Sequence, residues 1–132
     1  MSLVQAQANK VLDTVLGTAA PTLFTGAAKI RLTTTAPTAT TAGTELTGTG
    51  YTAGGSTIVF NSASAGSATG PTSTISWTNN SGSSWSIVGL EIWDSAGTPL
   101  RWHYGNWTGQ PLSVPNGAIF QISTAQITKS LT

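Results

Sequence analysis

The chain has no cysteine and very few charged residues. Without cysteine, a disulfide framework, a thiolate metal site and a cysteine nucleophile are all excluded. Only 7% of the 132 residues are charged and the formal net charge is +1, whereas a typical soluble domain has about a quarter charged residues. With no cationic cluster, nucleic-acid binding through a basic patch is not expected. A surface this neutral suits a protein that is largely covered by a partner.

Long hydrophobic runs are missing as well. No apolar run approaches the length needed to span a bilayer, so no membrane partner is expected. The first ten residues lack the basic segment and apolar core of a signal peptide. One histidine and four scattered acids predict no metal site. The glycine-rich segment 48–55 lacks the Lys-Ser/Thr of a phosphate loop, and no cofactor is expected.

What the chain does contain is small residues: Thr, Ser, Gly and Ala make up more than half of it. Thr suits half-exposed strands, and Gly and Ser suit turns. Short alternating segments with turn signals every 8–12 residues predict an all-β fold, an antiparallel β-sandwich of Ig-like or jelly-roll-like type with one short N-terminal α-helix. We expect a single domain over residues 1–132, with the helix at 2–17 and the sandwich at 28–128.

The helix is predicted from its ends and from its apolar spacing. Ser2 is expected to cap the amino end, and Gly17 sits where a left-handed residue ends a helix. The apolar residues predicted to share its buried face are Val4, Ala8, Val11, Leu12 and Val15.

Period-two alternation predicts the strands that follow. Ile30 and Leu32 share one face of a strand over 28–35. Residues 36–56 form a long, low-complexity segment that is expected to run extended along another surface and to bury little. Further strands are predicted at 57–61, 73–78, 111–114 and 118–128, with a loop at 62–71 and a turn at 115–117.

The segment 85–107 holds four of the five tryptophans and is predicted to be a β-hairpin. A three-residue loop with Gly97 in the left-handed position of a G1 bulge makes Asp94 and Thr98 partners. The resulting register pairs Leu90 with Trp102 and Glu91 with Arg101 as an exposed cross-strand ion pair. It also places Gly89 opposite His103.

The first strand of this hairpin is apolar on both faces. Trp85, Ile87 and Trp93 are expected to point to one side, and Val88, Leu90 and Ile92 to the other. One side faces the sandwich core. The N-terminal helix or a neighbouring subunit is expected to cover the other side. The alternative is that all five tryptophans lie in the core of the monomer. The candidate interface residues are Trp85, Ile87, Trp93 and, within the segment 36–56, Tyr51.

Catalysis is not expected from this inventory. In the predicted register His103 has no acid or base partner, and no nucleophile elbow is present. The ionisable groups are therefore expected to have structural roles, and no catalytic residue is assigned. Exposed tryptophans could instead stack on sugars, which leaves carbohydrate binding open as an alternative.

Three segments of the sequence resemble a known protein family. The helix ending in "LDTVLG", the segment "KIRLTTTAPTATTAGTELTGTGYT" and the hairpin "IVGLEIWDSAGTPLRWHYGNW" resemble small structural proteins of tailed bacteriophages, especially those infecting actinobacteria. Members are labelled as head decoration, minor capsid or tail-fibre proteins. The resemblance implies a β-sandwich virion protein without catalytic residues, and it implies a homotrimer.

The function expected from the resemblance is decoration and stabilisation of a phage capsid. The expected partners are the major capsid protein lattice and further copies of the chain, on the capsid exterior, after synthesis in the host cytoplasm. The alternative is a tail-fibre or tail-tip protein that binds a glycan of the host surface.

Overall fold

The computed structural model describes residues 1–20 and 24–130. In this part of the chain there is one helix, α1 (Gln5–Val15), among short strands. The strands are β1 (Ser2–Leu3), β2 (Lys29–Thr33), β3 (Ser56–Thr57), β4 (Ser67–Gly70), β5 (Ile75–Thr78), β6 (Trp85–Ile87), β7 (Gly89–Trp93), β8 (Arg101–Asn106), β9 (Leu112–Val114), β10 (Ile119–Ile122) and β11 (Ile127–Ser130).

The strands form one larger sheet and three strand pairs. The five-stranded sheet has the order β1-β8-β7-β2-β3, and the pairs are β10-β5, β11-β4 and β6-β9. All of the pairings are antiparallel. Non-consecutive neighbours such as β7 and β2 join distant parts of the chain within one sheet.

The core lies between the five-stranded sheet and the strand pairs. Alternate residues of β2 and β7 point inward, as expected of strands with one face on the core. They meet buried side chains from the paired strands in a continuous cluster that includes Ile30, Leu32, Leu90 and Ile92 on one side and Trp77, Phe120, Ile122, Trp85, Val114 and Ile127 on the other. This arrangement confirms the predicted all-β, sandwich-like fold with a short N-terminal helix. The single-domain boundaries remain a prediction.

Residues 34–55, which we call the cover loop, pack against the five-stranded sheet. The loop returns along β2, where Glu45 bridges Thr33 and the N–H of Leu46 donates to Leu32 O at 2.8 Å. Leu46 is buried as a result. The expectation that this segment runs along another surface is therefore wrong: it packs on its own sheet, because its backbone groups find partners there.

The helix starts later than predicted. Ser2 and Leu3 pair with Tyr104 and His103 as a strand, and the N–H of Val4 donates to Trp102 O at 2.8 Å. The chain is held extended up to Val4, so the predicted Ser2 cap is wrong and no side chain caps the helix. At the other end Gly17 has a φ of +72°, which is the left-handed conformation expected of it.

The helix also buries a different face. Val4 and Gln7 are buried, whereas Leu12, Val15 and Leu16 are 57%, 77% and 67% exposed. The predicted stripe through Leu12 and Val15 is wrong in its carboxy-terminal half. Helical periodicity identifies an apolar stripe but not which neighbour will cover it.

The segment 85–93 is not one continuous strand. It breaks at Val88 into β6 and β7, which belong to different sheets. The break changes the alternation, so Trp85 and Ile87 enter the same core as Leu90 and Ile92. The expected two-sided strand, with Trp85 and Ile87 on the outer face, is therefore wrong.

The hairpin between β7 and β8 exists, but its predicted register is wrong by three residues. Leu90 pairs with Gly105 rather than with Trp102, and Glu91 pairs with Tyr104. The partner of Gly89 is Asn106 rather than His103.

The cause of this shift is the loop. Asp94 closes it with Leu100 instead of Thr98, through a backbone bond of 3.0 Å and a bond from Leu100 N to Asp94 Oδ1 of 2.8 Å. A register irregularity between Ile92 and Trp93 adds the third residue. Gly97 does not take a positive φ, so the predicted G1 bulge at that position is wrong.

The remaining strands were predicted approximately. The turn at 115–117 is present, with Gly117 at a φ of +83° and Ala118 N donating to Pro115 O. The strand expected over 118–128 divides into β10 and β11, because Ala125 adopts a positive φ between them. The loop expected at 62–71 contains β4, and of the strand expected at 57–61 only Thr57 belongs to a strand, β3.

Candidate functional site

The carboxylate of Glu91 lies at the centre of a buried polar cluster between β7, β8 and the cover loop. Its Oε1 accepts hydrogen bonds from Arg101 Nη1 and from the backbone N–H of Gly43, each at 2.9 Å. Its Oε2 accepts from Trp93 Nε1, also at 2.9 Å. Both oxygens are occupied by donors of the protein itself, so the group acts as an anchor.

Arg101 completes the anchor from the neighbouring strand. Its Nη1 also donates to Thr41 O in the cover loop at 2.9 Å. The Glu91–Arg101 contact expected from the sequence is present, but both side chains are buried, at 2% and 7% exposure, rather than lying on the surface. The burial comes from the cover loop, which the sequence did not place there.

A second acid, Asp94, organises the hairpin loop. Its Oδ1 accepts from Leu100 N at 2.8 Å and Ala96 N at 3.3 Å, and its Oδ2 accepts from Trp102 Nε1 at 3.1 Å. Burial acts to raise the pKa of Asp94, but the hydrogen bonds outweigh it and the pKa lies below its ordinary value. Trp102 is buried, with its ring centroid 5.4 Å from that of Phe24.

The single histidine lies in a different environment. His103 lines a cavity of about 280 Å³ together with Lys129 and the apolar residues Met1, Phe24, Ala28, Phe60, Ala68 and Ile92. Burial, followed by the positive charge of Lys129, lowers the pKa of His103 to about 4. The imidazole is therefore neutral at pH 7, and its surroundings are hydrocarbon together with the positive charges of Lys129 and of the amino group of Met1.

The four predicted interface residues separate into two pairs. Trp85 and Ile87 are buried inside the chain at 3% and 0% exposure, so in this fold they offer no contact surface. Trp93 is half-buried beneath Arg31, whose guanidinium carbon lies 4.1 Å from the ring centroid. Interface roles for Trp93 and Tyr51 remain predictions.

Tyr51 is tied into the cover loop. Its hydroxyl donates to Glu45 Oε1 at 2.8 Å and accepts from Leu32 N at 3.3 Å. Burial first, and then the hydrogen bond to Glu45, raise the pKa of Tyr51. Glu45 Oε1 also accepts from Gly54 N at 2.8 Å, so the carboxylate of Glu45 joins both Tyr51 and Gly54 to the first half of the loop.

An apolar surface that the sequence does not predict lies exposed on α1. Leu12, Val15 and Leu16, which we call the helix ridge, occupy positions i, i+3 and i+4 and therefore lie on one side of the last turn. All three are more than half exposed. Leu12 and Val15 belong to the stripe that the sequence predicts to be buried, whereas Leu16 lies outside that stripe; only the placement of the helix distinguishes a buried apolar face from an exposed one.

Metal binding and membrane insertion find no support in the described residues. Across residues 1–20 and 24–130, no group of three or more His, Asp or Glu side chains could hold a metal ion. Within the same residues, α1 is too short and too polar to cross a membrane.

A known family matches nearly the whole chain. The family described as Podophage GP4 fiber I protein gp80 matches residues 2–130. No curated protein matches the chain.

Proposed function

The chain belongs to the Podophage GP4 fiber I protein gp80 family and is a phage fibre-type structural protein, a component of the virion; we propose that it works without catalysis, by docking on another virion protein through the helix ridge. The alternative expected from the sequence was a tail-fibre or tail-tip protein that binds a host-surface glycan, and the family description favours a fibre over capsid decoration. The ridge is the observation that carries the docking proposal.

The ridge consists of three adjacent large apolar side chains, 57–77% exposed. Single exposed apolar residues are ordinary, whereas a contiguous apolar surface marks a contact site. Burying each such side chain contributes about 1.5–3 kcal/mol. The 11-residue helix has no capping side chain, and isolated helices shorter than about 12–15 residues are marginal in water. A partner on the ridge would stabilise it.

A non-catalytic role is supported by how the charged groups are used. Glu91 and Arg101 anchor the cover loop, and Asp94 closes the hairpin loop. His103 has an apolar cavity around it and a lowered pKa. The hydrogen bonds of Glu91, Arg101 and Asp94 are thus made within the fold, and His103 has no acidic side chain among the residues that line its cavity.

Capsid decoration is the second candidate. It is favoured by the small number of charges, since a near-neutral surface docks on a lattice without repulsion between neighbouring copies. In that case the partners are the major capsid protein and two further copies of the chain in a homotrimer, on the capsid exterior.

The test replaces ridge residues by polar ones of similar or smaller size. Leu12→Ser with Leu16→Ser is expected to leave the purified protein folded, because both side chains are exposed, and to abolish its incorporation into particles. Val59→Ser with Ile119→Ser is the matched control, since these residues are 56% and 60% exposed but lie away from α1. Normal incorporation of the ridge variant would overturn the docking proposal.

The place in the virion is tested separately. Cryo-electron microscopy of particles carrying a tagged chain is expected to show density at the tail in a few copies. Density over the whole head in hundreds of copies would instead establish decoration. Sedimentation of the purified protein tests the trimer, and a monomer at all concentrations would exclude self-assembly before docking.

A further inference from the structure

The cavity beside His103 lies between two layers of the fold, and we call it the His103 cavity. Ile92 and His103 are directly opposite each other on β7 and β8, so both side chains leave the five-stranded sheet on the same face. Ala68 and Lys129 are likewise partners on β4 and β11. All four residues line the cavity. Its walls are therefore the five-stranded sheet on one side and the β4-β11 pair on the other.

Most of the surface of the His103 cavity is hydrocarbon. Besides His103 and Lys129, the lining consists of the apolar residues Met1, Phe24, Ala28, Phe60, Ala68 and Ile92. An apolar cavity of about 150 Å³ stays dry and binds benzene, which has six carbon atoms. The His103 cavity has a volume of about 280 Å³. It therefore has room for an aliphatic chain of roughly eight to ten carbon atoms.

The two polar side chains of the lining have no acidic partner. Among the described residues Lys129 forms no ion pair, and its Nζ donates only to Met1 O, at a long distance of 3.4 Å. Within the same residues the imidazole of His103 makes no hydrogen bond, and neither of its nitrogens is fully buried. The charges that act on the imidazole, those of Lys129 and of the Met1 amino group, are both positive. The cavity thus combines an apolar interior with an uncompensated positive charge.

This combination fits a ligand with an apolar chain and one anionic head. A carboxylate accepts hydrogen bonds through both oxygens, and a neutral imidazole and an ammonium group both donate. Hydrogen bonds between charged groups are roughly twice as strong as neutral ones. An amine would be repelled by Lys129, and an alcohol would leave the ammonium charge uncompensated.

We propose that the His103 cavity binds a medium-chain aliphatic carboxylate, with the chain among the apolar side chains and the head at Lys129 and His103. This role goes beyond docking through the helix ridge, and its failure would leave the docking proposal intact.

The experiment follows the imidazole signals of the full chain by NMR at pH 7 while octanoate is added below its micelle concentration. His103 is the only histidine of the chain, so these signals need no further assignment. Octanol and octylamine have the same chain length and are the neutral and cationic comparators. Acetate has the head without the chain. N-acetyl-leucine has a carboxylate beside a short apolar side chain, as the carboxy terminus of a partner protein has.

We expect octanoate to shift the imidazole signals in a saturable way. A bound carboxylate stabilises the charged imidazole, so octanoate should also raise the pKa of His103 above its value of about 4. Lys129→Gln should weaken octanoate binding by about tenfold or more, equivalent to about 1.4 kcal/mol. Lys10→Gln is the matched control and should bind normally, since Lys10 is also a half-buried lysine but lies outside the cavity.

The wild-type chain with the five probes tests the ligand class without any variant. The proposal is overturned if octanoate leaves the imidazole signals unchanged, or if any of the four comparators binds as tightly as octanoate. It is also overturned if Lys129→Gln binds octanoate normally.

Discussion

Removing the carboxylate of Glu91 should destabilise the protein more than any surface substitution. Glu91 accepts three hydrogen bonds at 2.9 Å, from Arg101, Gly43 and Trp93. Glu91→Ala leaves the Arg101 guanidinium buried without its counter-charge. Breaking a buried pair in this way costs about 3–5 kcal/mol, a large part of the roughly 5–15 kcal/mol that stabilises a whole domain.

Glu91→Gln should cost nearly as much, although it is almost the same size. All three partners of the carboxylate are donors, so the amide NH₂ would face a donor in either orientation. One or two partners would lose their acceptor, and Arg101 would lose its counter-charge.

Replacing both members of the pair should cost far less than the two single changes together. Glu91→Leu with Arg101→Met leaves no unpaired charge, and apolar replacement of buried ion pairs is often neutral or stabilising. We expect a coupling energy of about 2–3 kcal/mol in the double-mutant cycle. The cover loop still loses the hydrogen bonds that its Gly43 N–H and Thr41 carbonyl make with Glu91 and Arg101, so the amide of Gly43 should exchange faster with solvent even where global stability is restored.

Urea unfolding followed by tryptophan fluorescence measures these free energies. Asp13→Ala is the control, because Asp13 is an exposed acid, and its effect should stay within about 0.5 kcal/mol. A cost of less than about 1 kcal/mol for Glu91→Ala, or strictly additive single costs, would refute the anchor role.

Two further predictions concern the backbone and the pH dependence. Gly50→Ala should be more damaging than Gly54→Ala: both glycines have a positive φ, of +99° and +88°, but a Cβ at 50 would lie 1.8 Å from Thr78 O, whereas one at 54 meets nothing within 4 Å. Thermal unfolding should show the shared φ strain of about 1–2 kcal/mol for Gly54→Ala and a clearly larger loss for Gly50→Ala; equal losses would contradict the close approach. The second prediction rests on His103, whose pKa is lowered from 6.5 to about 4 in the folded chain. The unfolded chain binds the proton first, so stability is complete above pH 6.5 and decreases as the pH falls towards about 4. In urea unfolding as a function of pH, His103→Gln should flatten this decrease, and an unchanged slope would show that other groups cause it.

The predictions that held were those that rest on local backbone chemistry. Ile30 and Leu32 alternate with polar neighbours, and both are fully buried. Gly17 ends the helix in the left-handed conformation, and Gly117 turns the chain after Pro115. Each of these follows from the residue itself and its nearest neighbours, so a sequence is sufficient to find it.

The candidate site was only partly predictable. The sequence pointed to Glu91 and Arg101 as structural partners but expected them on the surface. Their burial depends on the cover loop, which is held through the N–H of Gly43 and the carbonyl of Thr41. Every residue other than proline carries both groups, so no pattern of side chains marks where such a loop will attach.

By itself, the sequence determined the all-β class, the short helix, most of the turns and the scarcity of charge that favours a structural role. The tertiary structure alone decided the hairpin register, the destination of the cover loop and the exposure of the helix ridge. Alternation and turn preference act between neighbouring residues, whereas strand register and the burial of a surface depend on which distant groups meet. Asp94 meets the N–H of Leu100, and the cover loop meets Glu91 and Arg101. The exposure of the helix ridge depends likewise on what lies beside the last turn of the helix.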